Sequence, residues 1–264
     1  MRTFRLFALL YLLTSCEEKF DAPVPSEDTG LLVVEGVLTN ERKRHLVKLS
    51  LPYPTQNAQS QPATGALVYV IEDSTVLSAL TEFPSGSGNY YTQVGRAVAG
   101  KVYALFIEYK GREYFAQDSP APVQPLQRLQ YTASREGYTL ALNPTGQDPN
   151  YIEHTINWQN TGACVAGEPC EGKVIFYDLK TIDVNEIYKP DKEAFFFPKQ
   201  TTVFRKKYSV SPAYKIFLRS MLSETEWRGG VFDVQRENVP TNLSEGAVGF
   251  FAVCSVVQDS TLIE

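Results

Sequence analysis

The stretch Tyr103-Ala-Leu-Phe-Ile-Glu-Tyr109, followed by Lys110-Gly111 and then Arg112-Glu-Tyr-Phe115, decides the fold class. Alternation puts Tyr103, Leu105 and Ile107 on one face, as a core-facing strand requires, while Ala104 and Phe106 give the opposite face partial cover. A Lys-Gly link between two such runs predicts a tight hairpin, because glycine accepts the positive φ that two-residue hairpin turns need. Upstream, from Leu31, the same pattern repeats: short runs rich in Val, Leu, Tyr and Phe, separated by Gly, Pro, Asn and Ser clusters. That is the signature of an all-β chain. Strands are predicted near 31–39, 45–51, 66–72, 76–82, 89–93, 101–109 and 112–117, which suits a seven-strand, immunoglobulin-like sandwich over residues 31–118.

Downstream, Asp118-Ser-Pro-Ala-Pro-Val-Gln-Pro125 holds three prolines that neither a strand nor a helix interior tolerates, so a domain boundary is expected there. A second β-rich domain, 126–264, has strand candidates at 127–133, 137–142, 151–159, 173–179, 200–209 and 246–257. It also carries one amphipathic helix, with Tyr214, Phe217, Leu218, Met221, Leu222 and Thr225 at the helical period. Ser211 is its expected cap and Pro212 suits its first turn, while Gly229-Gly230 is the expected stop. The helix is expected to cover the second sheet.

The start of the chain bears on location. Residues 1–15 combine Arg2 and Arg5 with the apolar run Leu6 to Leu13, too short to span about 30 Å of hydrocarbon, and so read as a signal peptide. Leu13-Thr14-Ser15-Cys16 resembles a bacterial lipobox, which makes Cys16 the expected lipidation site; multiple acyl chains hold a protein stably on its membrane. Residues 16–30 are acidic and proline-containing and read as a flexible tether reaching about 45 Å when extended. The formal charge of -5 becomes two units more negative once Arg2 and Arg5 are removed, which argues against nucleic acid as a partner. The basic triplet Arg42-Lys43-Arg44 reads as a solvated hairpin tip.

Cys164 and Cys170 bracket the Gly- and Pro-containing segment Val-Ala-Gly-Glu-Pro, as a local disulfide in an oxidising compartment would; closing so small a loop contributes roughly 2 kcal/mol. Zinc would need ligands that two histidines and no second close cysteine pair do not supply. Cys254, in an apolar run, reads as a buried thiol.

Several segments, taken in order along nearly the whole mature chain, resemble a family of uncharacterised Bacteroidota lipoproteins, the domain-of-unknown-function family four-two-four-nine. They are Leu32 to Thr39, Thr64 to Val70, Gly88-Asn-Tyr90, Gly100 to Leu105, Asn150-Tyr151, the Tyr214 helix, Pro240-Thr-Asn242 and Gly249-Phe-Phe251. The first half is also similar to transthyretin-like domains. The family resemblance implies an accessory lipoprotein, because such proteins tend to be encoded beside TonB-dependent outer-membrane receptors, and it supplies no catalytic residues. Glu17, Glu18 and Asp21 around Lys19 are similar to signals that send such lipoproteins to the cell surface.

No nucleophile elbow, Walker loop, dinucleotide fingerprint or calcium loop stands in a fitting context. His154, inside a strand candidate, reads as a histidine satisfied by its neighbours. Phe195-Phe196-Phe197 and Trp227 could serve recognition or close the core of the second sheet. Asp73-Ser-Thr75 and Asp259-Ser-Thr261 resemble Bacteroidota O-glycosylation acceptors, which would lie in exposed loops. The expectation is thus a surface-exposed, lipid-anchored outer-membrane protein without enzymatic activity, cofactor or metal. It would be the binding or accessory subunit of a TonB-dependent nutrient transporter, its small-molecule or glycan ligand unspecified. The alternative is a free-standing surface adhesin or glycan-binding lipoprotein.

Overall fold

A computed structural model describes residues 30–53, 59–143, 148–165, 167, 169–179, 195–225 and 239–264. Cys16 and the tether up to residue 29, Trp227 and Gly229-Gly230 lie outside the described residues. The chain is mainly β, as expected. Strands β1 (Leu32–Thr39), β2 (Leu46–Ser50), β3 (Leu67–Glu72), β4 (Thr75–Ala79), β5 (Thr81–Glu82), β6 (Asn89–Tyr91), β7 (Tyr103–Tyr109) and β8 (Arg112–Asp118) follow the predicted runs, except that the strand expected at 76–82 is two, β4 and β5, which join different sheets.

Strands β7 and β8 form the predicted hairpin, with Tyr109 opposite Arg112. Lys110 and Gly111 have φ values of 50° and 73°, the two positive angles a type I′ turn requires. Tyr103, Leu105 and Ile107 are fully buried, while Ala104 and Phe106 are half-buried on the other face. The sheet runs β4-β3-β7-β8. It shares a core with a second sheet through Leu32, Val34, Val47, Leu49 and Tyr90. The basic triplet lies between β1 and β2. There Lys43 pairs with Glu41 and the Arg44 guanidinium sits 4.9 Å from the Tyr91 ring centroid.

The second sheet of this sandwich corrects the expected chain order. Its order is β14-β1-β2-β6-β5, where β14 (Ala247–Cys254) comes from the far end of the chain. β14 runs parallel to β1, from Leu32 opposite Ala247 to Thr39 opposite Cys254. The predicted strand 246–257 is therefore two strands. The chain leaves the first sheet at Ser255 and continues as β15 (Val256–Leu262), which pairs with β13 (Thr202–Ser209). The segment 126–264 accordingly lends one strand to the sandwich instead of folding wholly beside it.

The sequence of β14, Ala-Val-Gly-Phe-Phe-Ala-Val-Cys, is apolar at every position, as a parallel strand covered on both faces demands. Phe251 and Val253 enter the sandwich core, whereas Phe250, Ala252 and Cys254 belong to another cluster on the opposite face. The Asn242 side chain fixes this strand: its amide donates to the carbonyls of Phe251 (2.8 Å) and Gln117 (3.1 Å), and its oxygen accepts from the Phe251 amide (3.1 Å).

The remaining sheet has the order β12-β11-β13-β15, with β11 at Asn150–Asn157 and β12 at Glu171–Asp178. A short hairpin, β9 (Tyr131–Ala133) and β10 (Tyr138–Leu140), covers part of one face. Helix α1 (Pro212–Thr225) is capped as predicted: the Ser211 hydroxyl accepts from the Tyr214 amide at 3.2 Å. Its apolar side meets β14 as well as the second unit's sheet. Tyr214 and Phe217 lie 5.0 and 5.1 Å from the Phe250 ring, and Leu218 and Leu222 share a cluster with Tyr151 and Tyr208.

Candidate functional site

The pairing of β11 with β12 and β13 sorts side chains onto two faces with different chemistry. Tyr151 lies beside Tyr177 and Tyr208 on one face. Asn150, Ile152, His154 and Ile156 share the other with Val203, Arg205 and Lys207. Each face bounds a cleft.

The first cleft is an aromatic groove of about 290 Å³, where the tyrosine face of this sheet, the outer face of β1 and β14, and α1 come together. Tyr151 stacks on Tyr208 at 4.5 Å between centroids with planes 6° apart, and Tyr177 lies 5.8 Å from Tyr151. Tyr214, Phe217 and Phe250 close the helix side. Ile175 at the mouth is 39 % exposed. Two carboxylates line the groove, Glu35, 3.8 Å from Lys48, and Glu153, 3.4 Å from Lys173. Burial pushes the phenols of Tyr151, Tyr208 and Tyr214 upward, so they are neutral donors at pH 7. The Cys254 thiol behind them is raised by burial and then by Asp118, which keeps it protonated and inert.

The second cleft, about 370 Å³, lies on the other face beneath residues 126–130 and 141–143. The Ala141 amide donates to the Gln130 carbonyl at 3.0 Å, holding the two covering segments together. Arg205, His154 and Lys207 line the floor, each almost fully buried. Arg205 donates from Nε to Asp259 at 2.8 Å, from Nη2 to the other oxygen of that carboxylate, and also from Nη2 to the Gln127 carbonyl at 2.8 Å. Burial, and then the Arg205 charge, hold His154 down to about 4, so it is neutral at pH 7. The expectation of a satisfied strand histidine holds only in part: the Ile152 and Val174 backbones lie against the ring, but its buried Nδ1 completes no well-formed hydrogen bond.

The residues singled out in the sequence fall elsewhere. Cys164 and Cys170 form the predicted disulfide, with Cα atoms 5.6 Å apart. The aromatic run divides. Phe197 is 2 % exposed, exchanges backbone hydrogen bonds with Tyr138 and lies 6.5 Å from its ring, so it is core and is withdrawn as an interaction residue. Phe195 packs on Trp158 and fills the space above Gly172, while Phe195 and Phe196 keep exposed edges. Neither touches the groove. Cys254 is buried as expected. Asp73 and Ser74 occupy the turn before β4, which Thr75 opens, whereas Asp259-Ser-Thr261 lies within β15 with Asp259 paired to Arg205, so the expectation of an exposed loop fails for the second tripeptide.

Sequence reasoning missed both clefts. Tyr151, Tyr177 and Tyr208 are visible as strand tyrosines, but the register that stacks them links strands far apart in the chain. Among the described residues, no group of three or more His, Cys, Asp or Glu is placed to hold a metal ion. No curated protein matches the chain. The model of a domain of unknown function, DUF4249, matches residues 17–260. That span takes in both sheets of the sandwich and both clefts, and the chain therefore belongs to the DUF4249 family.

Proposed function

We propose that this chain is a lipid-anchored, surface-exposed outer-membrane protein of the Bacteroidota, acting as the non-enzymatic binding or accessory subunit of a TonB-dependent nutrient transporter. The observation that carries the reading is the aromatic groove. It gathers rings from the sandwich, the second sheet and α1 into one concave, partly exposed surface, the kind of composition that anchors partners and ligands. Tyr151, Tyr214 and the nearby Cys254 thiol are held protonated by burial, and both histidines are buried and neutral at pH 7, which suits recognition better than acid–base or nucleophilic chemistry. The anchor follows from the lipobox-like Leu13-Thr14-Ser15-Cys16, and the transporter from the genomic context that the family resemblance implies.

Affinity purification of the tagged, lipidated protein from gently solubilised outer membranes tests this directly, with Cys16→Ala as control. One integral membrane transporter should co-purify in about 1:1 ratio, and the control should leave the membrane fraction. Recovery of the anchored protein alone would remove the accessory role and put the free-standing adhesin in its place. Retention of Cys16→Ala on the membrane would remove the anchor.

A further inference from the structure

The polar cleft beneath residues 126–143 has a charge pattern that neither the fold nor the accessory role explains. Its lining includes three cationic residues, Arg128, Arg205 and Lys207, and no carboxylate. Two of these charges are answered from outside the lining. Arg205 is paired with Asp259. Lys207 is drawn down by burial and opposed by the carboxylates of Asp178 and Asp148. Arg128, exposed at the rim, makes no ion pair among the described residues.

A second observation is independent of charge. The imidazole of His154 lines the cleft and is 2 % exposed; the Ile152 and Val174 backbones lie against it, yet its Nδ1 completes no hydrogen bond. Buried polar atoms are nearly always satisfied, and leaving one unpaired costs free energy unless something else reaches it. The rest of the lining is mixed: Gln127, Gln130 and Asn143 are polar, and Leu129, Leu142, Ile152 and Phe176 are apolar. A volume of about 370 Å³ falls in the range of small-molecule sites.

We infer that this cleft binds a small organic monoanion, a carboxylate with a compact apolar body, with the charged end toward Arg128 and His154 and the body against Leu142, Ile152 and Phe176. One uncompensated cation calls for one negative charge, and a guanidinium matches a carboxylate in shape as well as charge. The neutral imidazole can donate from one nitrogen. The apolar part of the lining gives an anion with an apolar body more to bury than a fully polar one. This inference is independent of the transporter reading, since the cleft opens on the face of the sheet opposite the groove.

The test uses the full chain carrying Cys16→Ala, so that no detergent competes, with 2-naphthoate as probe and 2-naphthamide as its uncharged counterpart, titrated calorimetrically at pH 7 and low salt. The expected result is saturable 1:1 binding of 2-naphthoate, at least tenfold tighter than 2-naphthamide. Arg128→Gln, at an exposed position, should weaken it at least fivefold without moving the thermal transition, and Ile175→Glu in the groove should leave it unchanged. The inference is overturned by absence of saturable binding, by equal binding of the amide, or by indifference to Arg128→Gln. An equal loss in Ile175→Glu would also overturn it, by moving the probe to the groove. Failure of this experiment leaves the membrane-partner result untouched.

Discussion

At pH 7 both histidines are neutral because folding removes them from water. Burial, and then Lys43, hold His45 down to about 4, and burial with Arg205 does the same to His154. The unfolded chain begins to take up these protons near pH 6.5, whereas the native chain does not until about 4. The unfolded state therefore binds more protons across that window, and stability falls as pH falls through it, by roughly 3 kcal/mol for each histidine. Glu41 acts lower. Despite the burial that raises it, its bonds to Lys206 and Lys43 bring it down to about 2, so its contribution is intact above 4.5 and lost below. Urea midpoints should already decline between pH 6.5 and 5, before carboxylates matter. A flat midpoint there would contradict the burial of both rings. The sequence exposed the identity of these histidines but not the unpaired Nδ1 of His154, because satisfaction depends on strands 50 residues away along the chain.

Elements defined by local chemistry were legible. The Lys110-Gly111 turn, the Ser211 cap and the short disulfide loop each rest on residues within a few positions of one another. β14 was legible as an apolar strand and illegible in its partners, since nothing within Ala247–Cys254 states that it lies parallel to β1. Its Gly249 has a φ of 99°, and a Cβ there would fall on the Val34 carbonyl oxygen of β1. Gly249→Ala should therefore cost roughly 3–5 kcal/mol, through strained backbone and separation of the two strands. Gly162→Ala, in open space with an ordinary backbone, should cost less than about 0.5 kcal/mol. Similar urea midpoints for the two variants would show that β14 and β1 are not in this close register.

On the scale of the whole molecule, β14 belongs to two cores at once, and Ser255 carries the chain from one sheet to the other. Asn40 of the first unit also clasps the β15 backbone, accepting from the Val256 amide at 2.8 Å and donating to its carbonyl at 3.2 Å. The proline-rich segment 118–125 suggested two separable halves, and composition does mark a change there. The coupling across it escapes sequence reading because it is made by tertiary pairing. Phe251→Ala empties part of the sandwich and Phe250→Ala part of the helix-side core, each costing roughly 3–5 kcal/mol. Both should lower one common thermal transition. A transition that splits, with Phe250→Ala shifting one step alone, would show independent halves.

The same junction builds the groove on which the proposed role rests. Ile175 at its mouth is exposed enough to be changed without loss of fold, so its replacement separates recognition from stability. The decisive measurement is the amount of transporter co-purified from outer membranes by lipidated Ile175→Glu relative to the unmodified protein, at equal recovery and unchanged thermal transition. The groove reading predicts a fall of at least tenfold. Undiminished recovery of the transporter would contradict it.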